Sequence, residues 1–149
     1  MVDDSLLTSL VSTAEHDDVR QLVVGAVVQH NSQILLLQRP SGDFMGGIYE
    51  LPSGKVEPAE ALDVALIREV EEETGLKVAS IEQYLGSFDY LSGSGKKSRQ
   101  FNFVVEVRAT EPVRLTEHDE YQWALLTEDP PVTDAVKDVL GRYRELAGT

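Results

Sequence analysis

Residues 54–76, with the sequence GKVEPAEALDVALIREVEEETGL, decide the fold of this chain. The pattern predicts a helix after Pro58, because proline suits a first helical turn, where its missing N–H is not needed. At 100° per residue, Glu69, Glu72 and Glu73 fall within about a third of the helix circumference. Leucine and alanine side chains occupy the same arc, so three carboxylates interrupt an apolar stripe that is expected to face inward.

The three carboxylates call for a cation. Like charges at helical spacing repel one another by a few tenths of a kcal/mol in water, and by more when they are withdrawn from it. Hard divalent cations prefer carboxylate oxygens, so the pattern predicts Mg²⁺ or Mn²⁺ on this helix. The alternative is a solvated acidic helix face, which is the usual role of a charge run. The shared apolar stripe argues against that alternative.

The same residues match a known motif. Gly54, Glu60 and the run 68–76, REVEEETGL, occupy every fixed position of the Nudix box. The chain therefore resembles the Nudix hydrolases, and in particular their mutator-type branch of nucleoside triphosphate pyrophosphohydrolases. The resemblance covers roughly residues 20–146.

The composition places limits on function. The chain has 149 residues, 42% of them hydrophobic, a formal net charge of −13 and no cysteine. This size and composition predict one globular domain, residues 19–149, behind an N-terminal extension, residues 1–18, with a short amphipathic helix over 5–14. The negative charge disfavours binding to nucleic acid or to anionic membranes. We expect a cytoplasmic protein, a monomer or a homodimer, with a small nucleotide as its partner.

The remaining elements are predicted from apolar runs and turn residues. The expected strands cover residues 21–29, 34–39, 48–51, 77–90, 101–109 and 121–126. A turn is expected at 52–54. The expected helices run from Pro58 to Gly75 and over 132–146. The first two strands read as a hairpin covered on both faces, and 77–90 pairs with 101–109 as a second hairpin. This order of elements indicates a mixed sheet between helices, of the α+β or α/β class. The resemblance implies the Nudix α/β/α sandwich.

The resemblance also implies a metal site. Glu69, Glu72 and Glu73 take the family's positions for metal ligands, and the carbonyl of Gly54 takes that of a further ligand. The usual family sequence has a second glycine where this chain has Ser53. The implied cofactor is Mg²⁺, with Mn²⁺ as an alternative.

Two residues are expected to support that site. By the resemblance, Arg68 orients Glu69 through its fork of donors, and Glu72 is also within its i,i+4 reach. Glu60 supports the same group of side chains. An alternative role for Glu60 is that of an ordinary acid complementing the helix dipole.

The catalytic base has several candidates. Glu69 is one, because some family members use a glutamate of the motif. Mutator-type proteins also place a metal-binding glutamate shortly before a tryptophan, which here favours Glu117, with Glu120 second, ahead of Trp123. The alternative is a solvated acidic loop. His118 is interpreted as a surface histidine, with catalytic proton transfer as its alternative role.

Substrate contacts are expected in the loops and strands around the helix. Arg39, Phe44, Phe101 and Asn102 are candidates for a base pocket, since aromatic rings stack on bases and an amide reads base edges. Thr133 or Asp134 lies in a region where mutator-type proteins place an amide that reads the purine, and Asp134 is the candidate taken here.

A basic cluster, Lys96, Lys97 and Arg99, is interpreted as a solvated loop tip rather than as a phosphate site.

The expected reaction is Mg²⁺-dependent hydrolysis of a pyrophosphate bond, converting a nucleoside triphosphate, with an ordinary or modified base, to a monophosphate and pyrophosphate. One alternative is a hydrolase of nucleoside diphosphate sugars or dinucleoside polyphosphates. Others are a ligand sensor without turnover and a plain cation-binding protein.

Overall fold

The computed structural model describes residues 2–42, 46–118, 120–125 and 127–147. The elements follow in chain order: α1 (Asp4–His16), β1 (Gln21–His30), β2 (Gln33–Gln38), β3 (Tyr49–Glu50), β4 (Ser53–Lys55), α2 (Leu62–Thr74), β5 (Val78–Leu91), β6 (Lys97–Val107), β7 (Glu120–Leu125) and α3 (Asp134–Ala147).

The described strands form one mixed sheet of seven strands. Its main path is β3-β2-β1-β6-β5, with β4 paired to β1 and β7 paired to β2. β1 and β6 run parallel, while the other pairings are antiparallel. Both expected hairpins, β1 with β2 and β5 with β6, are confirmed.

The central strands are buried on both faces, as their continuous apolar runs predicted. One face carries a core shared with α1 and α2, in which Leu7 and Leu66 are buried. The other face packs on α3, where Val139 and Tyr143 are buried. The α/β/α sandwich and the N-terminal helix are therefore confirmed.

The helix α2 starts later than the sequence predicted. It begins at Leu62 behind Ala61 as N-cap, whereas Pro58 lies in a preceding turn closed by a hydrogen bond from Glu60 N to the carbonyl of Glu57. Ala59 has φ +64°, a left-handed conformation that a right-handed helix excludes, so the helix begins only after it. The predicted end at Gly75 is confirmed, with φ +75°.

The turn predicted at residues 52–54 is instead the start of β4. Ser53, Gly54 and Lys55 pair with Gly25, Val24 and Val23 of β1. This pairing joins the sheet to the loop before α2 and fixes where the helix lies.

The basic cluster is not the solvated loop tip that the sequence suggested. Arg99 is an ion-pair partner of Asp17, at the C-terminus of α1, and of Asp89 on β5. Lys97 Nζ donates to the backbone carbonyl of Asp17 at 2.8 Å. Lys96 is exposed. The cluster therefore attaches α1 to the second hairpin.

No described helix combines the length and apolarity required to cross a membrane.

Candidate active site

The glycine of β4 lies directly against a glutamate of α2. A Cβ added to Gly54 would overlap the carboxylate of Glu69, so this contact requires glycine. The backbone of β4 and the inward side of α2 thus form two walls of one site.

Arg68 joins the acidic side chains of that site. Its Nε and Nη2 donate to the two carboxylate oxygens of Glu60, both at 2.8 Å. Its Nη1 donates to Glu69 Oε1 at 2.7 Å and to Glu72 Oε2 at 3.2 Å, and Nη2 also reaches the carbonyl of Lys55 at 3.0 Å. The guanidinium thereby holds three carboxylates in fixed orientations, as its planar fork allows.

This pairing sets the charge state of the supporting acid. Hydrogen bonds from Arg68 lower the pKa of Glu60 to about 2, so Glu60 stays ionised. Glu69 is more withdrawn from water, and burial raises its pKa even though Arg68 acts in the opposite direction.

Glu73 is the most buried of the helix carboxylates. Its residue is 7% exposed, and Oε1 accepts a hydrogen bond from Ser53 N at 2.7 Å. Burial raises the pKa of Glu73 to about 7, against the effect of this hydrogen bond. A buried carboxylate in this state is stabilised when a cation approaches it.

We define the carboxylate cavity as a space of about 460 Å³ in front of α2. Its lining residues are Ser53, Gly54, Lys55, Glu69, Glu72, Glu73, Thr116 and Glu117. Carboxylate and carbonyl oxygens form its polar wall, which is the ligand chemistry that hard divalent cations prefer.

In their present orientations, the described side chains do not surround a common metal position. Among them, no three carboxylates or imidazoles meet closely enough to hold an ion. Arg68 Nη1 engages both Glu69 and Glu72, and Glu73 is turned to the backbone of Ser53. The side chain of Glu72 is 59% exposed, which leaves it room to rotate toward the cavity. The chemistry of these donors suits a divalent cation, but their present orientations do not, and Glu72 is the carboxylate with the most room to turn.

A second space of about 410 Å³ adjoins the first, and we call it the histidine cavity. Its lining residues are Arg39, Pro40, Glu50, Ser53, Glu73, Glu117 and His118. Ser53, Glu73 and Glu117 also line the carboxylate cavity, so the two spaces share a wall.

The interpretation of His118 as a surface histidine is wrong. Its side chain is 5% exposed, and Nε2 lies 2.7 Å from Glu50 Oε2. Arg39 Nε donates to the other oxygen of Glu50 at 2.6 Å. Glu50 raises the pKa of His118 against the effect of burial, which favours a charged imidazolium in this pair. The buried Nδ1 has no hydrogen-bond partner among the described residues.

The structure separates the two acids proposed before Trp123. Glu117 lines both the carboxylate cavity and the histidine cavity. Glu120 starts β7, opposite Gln38, and is exposed outside both linings.

A third and larger space, about 650 Å³, extends from the histidine cavity toward α3; we call it the apolar cavity. Its walls are made by Arg39, Ile48, Tyr49, Glu50, Leu51, Ser53, Phe88, Asp89, Tyr90, Leu91, Ser92, Gly93, Gln100, Thr133, Ala135 and Val136. Arg39, Glu50 and Ser53 belong to both spaces. The three cavities thus adjoin one another in a row from the helix carboxylates to aromatic side chains.

Several residues predicted to contact the substrate are placed elsewhere. Phe101 is 1% exposed and lies in the core on the face that carries α2. Asn102 is fully buried and bonded within the sheet, and exposed Asp134 lies outside the cavity lining, although its neighbour Thr133 is part of it. The predictions for Phe101 and Asn102 are wrong, because both side chains are buried in the core or within the sheet. The role of Asp134 stays a prediction. Phe44 lies outside the described residues.

Among the polar residues of these cavities, sequence reasoning missed Glu50 and Gln100 and misassigned His118. Glu50 was detectable as an acid within the short apolar stretch IYEL. The partnership of His118 with Glu50 spans 68 residues of sequence, and no local pattern announces it.

Comparison with known sequences identifies a protein family over most of the chain. A family model described as the NUDIX domain matches residues 19–139. The CTP pyrophosphohydrolase of Escherichia coli (strain K12) is 42% identical over 65 residues, covering 44% of this chain and 47% of that protein. The 8-oxo-dGTP diphosphatase of Proteus vulgaris is 37% identical over 57 residues, covering 38% and 51%. The chain thus spans about half the length of these curated relatives.

Solved structures match over more of the chain. The solution structure of the E. coli ORF135 protein has a TM-score of 0.73 and 27% identity, covering 89% of this chain and 94% of that one. The crystal structure of the MutT protein from Methanosarcina mazei Go1 has a TM-score of 0.73 and 26% identity, covering 87% and 96%. Together with the family match and the α/β/α sandwich, these similarities show that the chain belongs to the Nudix hydrolase family.

Proposed function

We propose that this chain hydrolyses a pyrophosphate bond of a nucleoside triphosphate, with a bound divalent metal, and releases a nucleoside monophosphate and pyrophosphate. The observation that carries the proposal is the row of three adjoining cavities. Its carboxylate end suits metal ions and a polyphosphate, and its apolar end suits a nucleobase. Ser53 lines all three spaces and marks their junction.

The proposed metal ligands are Glu69, Glu72, Glu73, Glu117 and the carbonyl of Gly54. A bound Mg²⁺ or Mn²⁺ would draw the phosphate oxygens together and lower the pKa of a coordinated water. The glutamates supply negative charge to hold that cation beside an anionic substrate in a protein of net charge −13. Gly54 lies close to Glu69 and lines the same cavity as the carboxylates.

Arg68 and Glu60 act on the ligands rather than on the substrate. The guanidinium is anchored by two hydrogen bonds to Glu60 and presents Nη1 to Glu69. This arrangement fixes the ligand orientation, which lowers the reorganisation needed when the metal binds.

Glu117 is our proposed general base, with Glu69 as the alternative within the motif. Glu117 is exposed and lies where the carboxylate and histidine cavities meet, so an incoming water can reach its carboxylate. Glu69 is more buried and already accepts a hydrogen bond from Arg68. Glu120 lies outside these cavities and is not retained.

Arg39 is proposed to contact the substrate phosphates. It lines the passage between the histidine cavity and the apolar cavity, and Glu50 holds its guanidinium at 2.6 Å. A fixed guanidinium at this point suits the phosphate nearest the nucleoside.

Names of the relatives favour a triphosphate but span several substrates. They include a CTP pyrophosphohydrolase, an 8-oxo-dGTP diphosphatase and an ADP-ribose pyrophosphatase. We take an ordinary or modified nucleoside triphosphate as the proposed substrate. A cytoplasmic location is proposed with it, since nucleoside triphosphates are cytoplasmic metabolites.

The test is a panel of nucleoside triphosphates, nucleotide sugars and dinucleoside polyphosphates incubated with the folded protein and Mg²⁺. Monophosphate and pyrophosphate should form from at least one triphosphate, and a chelator should abolish the reaction. Faster turnover of nucleotide sugars or dinucleoside polyphosphates would overturn the triphosphate assignment. Tight nucleotide binding without any turnover would instead identify a sensor.

A further inference from the structure

The apolar cavity has an amide in its lining whose orientation is fixed by its neighbours. Gln100 lies on β6, directly opposite Phe88 of β5, and is 7% exposed. Its Nε2 donates to Asn102 Oδ1 at 2.8 Å. A buried glutamine whose amide group makes an internal hydrogen bond can offer the cavity only the polar atom that this bond does not use.

The direction of that bond follows from the partners of Asn102. Its Nδ2 lies 3.1 Å from the carbonyl of Gly86 and 3.3 Å from the carbonyl of Gln100. Carbonyl oxygens only accept, so the atom facing them is the amide nitrogen. The opposite atom of Asn102 is therefore an acceptor, and Gln100 must turn its nitrogen toward it.

A glycine on the neighbouring strand makes room for this pair. Gly25 of β1 lies opposite Asn102, and a Cβ added to it would overlap both Gln100 Nε2 and Asn102 Oδ1. The amide pair thus occupies the space that the missing side chain of Gly25 leaves between β1 and β6.

With its nitrogen engaged, Gln100 keeps its oxygen for the cavity. Within the described part of the chain, Gln100 Oε1 accepts no hydrogen bond. Two carboxylates of the same lining are engaged by arginines: Asp89 accepts from Arg99 at 2.6 and 2.9 Å, and Glu50 accepts from Arg39 at 2.6 Å. The cavity wall between the aromatic side chains therefore offers an uncommitted acceptor.

We propose that Gln100 Oε1 determines base specificity by accepting a hydrogen bond from the exocyclic amino group of cytosine or adenine. The inference rests on the proposed function and adds the class of base. A keto oxygen at the same ring position would face Gln100 Oε1, and both atoms are hydrogen-bond acceptors. The amide oxygen would then lack a donor, which costs free energy in a partly buried site. Phe88 and Tyr90, with ring centroids 6.1 Å apart, supply aromatic surface beside this acceptor.

The test uses matched substrates that differ at this ring position, CTP against UTP and ATP against ITP. Whichever pair the protein prefers, the pyrimidines or the purines, kcat/KM should be about tenfold to a hundredfold higher for the base that carries the amino group. In Gln100→Met, which keeps the length and removes the acceptor, that ratio should fall to within about threefold. The same substitution at exposed Gln83, outside the cavity lining, is the control and should leave the ratio unchanged.

The ratio of the kcat/KM values for the two substrates of a pair separates base recognition from a general loss of structure, because destabilisation lowers the rates on both substrates. A wild-type protein that turns over both members of each pair equally overturns the inference while leaving the proposed function intact. The inference is also overturned by a Gln100→Met protein that keeps the full ratio. If this variant does not fold, the wild-type protein decides with a cytidine triphosphate analogue that carries hydrogen in place of the amino group. Turnover equal to that of CTP refutes the role of the acceptor, and a loss of about tenfold or more supports it.

Discussion

Arg68 Nη1 lies between two carboxylates, 2.7 Å from Glu69 Oε1 and 3.2 Å from Glu72 Oε2. The guanidinium therefore neutralises in the metal-free protein the charges that a cation would neutralise in the loaded one. Glu69 is 14% exposed in its side chain and Glu72 is 59% exposed. Of these two proposed ligands, Glu72 has the more room to move, and Glu69 is the more fixed.

This asymmetry predicts the effect of Glu72→Gln. Removal of one metal ligand at an exposed position should lower Mg²⁺-dependent turnover by about a hundredfold or more and leave the melting temperature nearly unchanged. The measurement is kcat at saturating substrate over a Mg²⁺ titration, with a thermal melt of each protein. Glu71→Gln is the matched control, because Glu71 pairs with Lys77 on the exposed side of the same helix. Equal activity of the two variants would remove Glu72 from the ligand set.

Gly54→Ala tests the contact between β4 and α2. The added Cβ overlaps the Glu69 carboxylate, so either the strand or the side chain must shift. We expect a loss of stability of about 1–3 kcal/mol and a weaker apparent Mg²⁺ affinity, measured by denaturant unfolding and by activity against Mg²⁺ concentration.

Gly141→Ala is the control for that glycine. It lies in α3, where an added Cβ meets nothing within 4 Å, and alanine favours a helix over glycine. This variant should be more stable by about 0.5–1 kcal/mol and should bind Mg²⁺ as the wild type does. Unaltered Mg²⁺ affinity in Gly54→Ala would show that the close approach is not needed for the site.

The acidic helix was predictable because its information is local. Helical spacing alone brings Glu69, Glu72 and Glu73 onto one side of the helix. The helix end at Gly75 is also predictable locally, because glycine favours the left-handed conformation of a helix C-terminus. The start of the helix was less predictable, since the left-handed Ala59 depends on the turn around it.

The base cavity was not predictable in the same way. Phe101 and Gln100 are adjacent in sequence, but consecutive residues of a strand point to opposite faces. Which face meets the cavity depends on how β6 is registered between β1 and β5, and that register is set by contacts distant in sequence. A search for aromatic residues therefore selected the core residue Phe101 and passed over Gln100.

Arg99→Leu should loosen α1 and lower the stability of the protein at neutral pH. Arg99 is 13% exposed in its side chain and joins Asp17 of the α1 terminus to Asp89 of β5. Both aspartates are more than a third exposed, so we expect a loss of only about 1 kcal/mol, measured by denaturant unfolding.

The pH dependence of that loss has a defined direction. Hydrogen bonds from Arg99 lower the pKa of Asp89, so the stabilisation is complete above the ordinary carboxyl value and disappears as the pH falls. The difference between the wild type and Arg99→Leu should be full above about pH 5 and shrink as the pH falls below about 4. Lys96→Leu, at an exposed neighbour, is the control, and a pH-independent difference for Arg99→Leu would contradict the assignment to this ion pair.

Glu73 makes the stabilising effect of Mg²⁺ depend on pH. Burial raises the pKa of its carboxyl to about 7, so its ionisation in the metal-free protein lowers stability as the pH rises through that value. A divalent cation relieves this cost for the ionised group, whereas at lower pH it must first displace a proton. Added Mg²⁺ should therefore raise the melting temperature more at about pH 8 than at about pH 6, measured by thermal unfolding with and without the ion. Glu73→Gln retains an oxygen for Ser53 N and removes the titration, so its smaller Mg²⁺ effect should be the same at both pH values. An equal Mg²⁺ effect in the wild type at both pH values would show that Glu73 does not bind the ion.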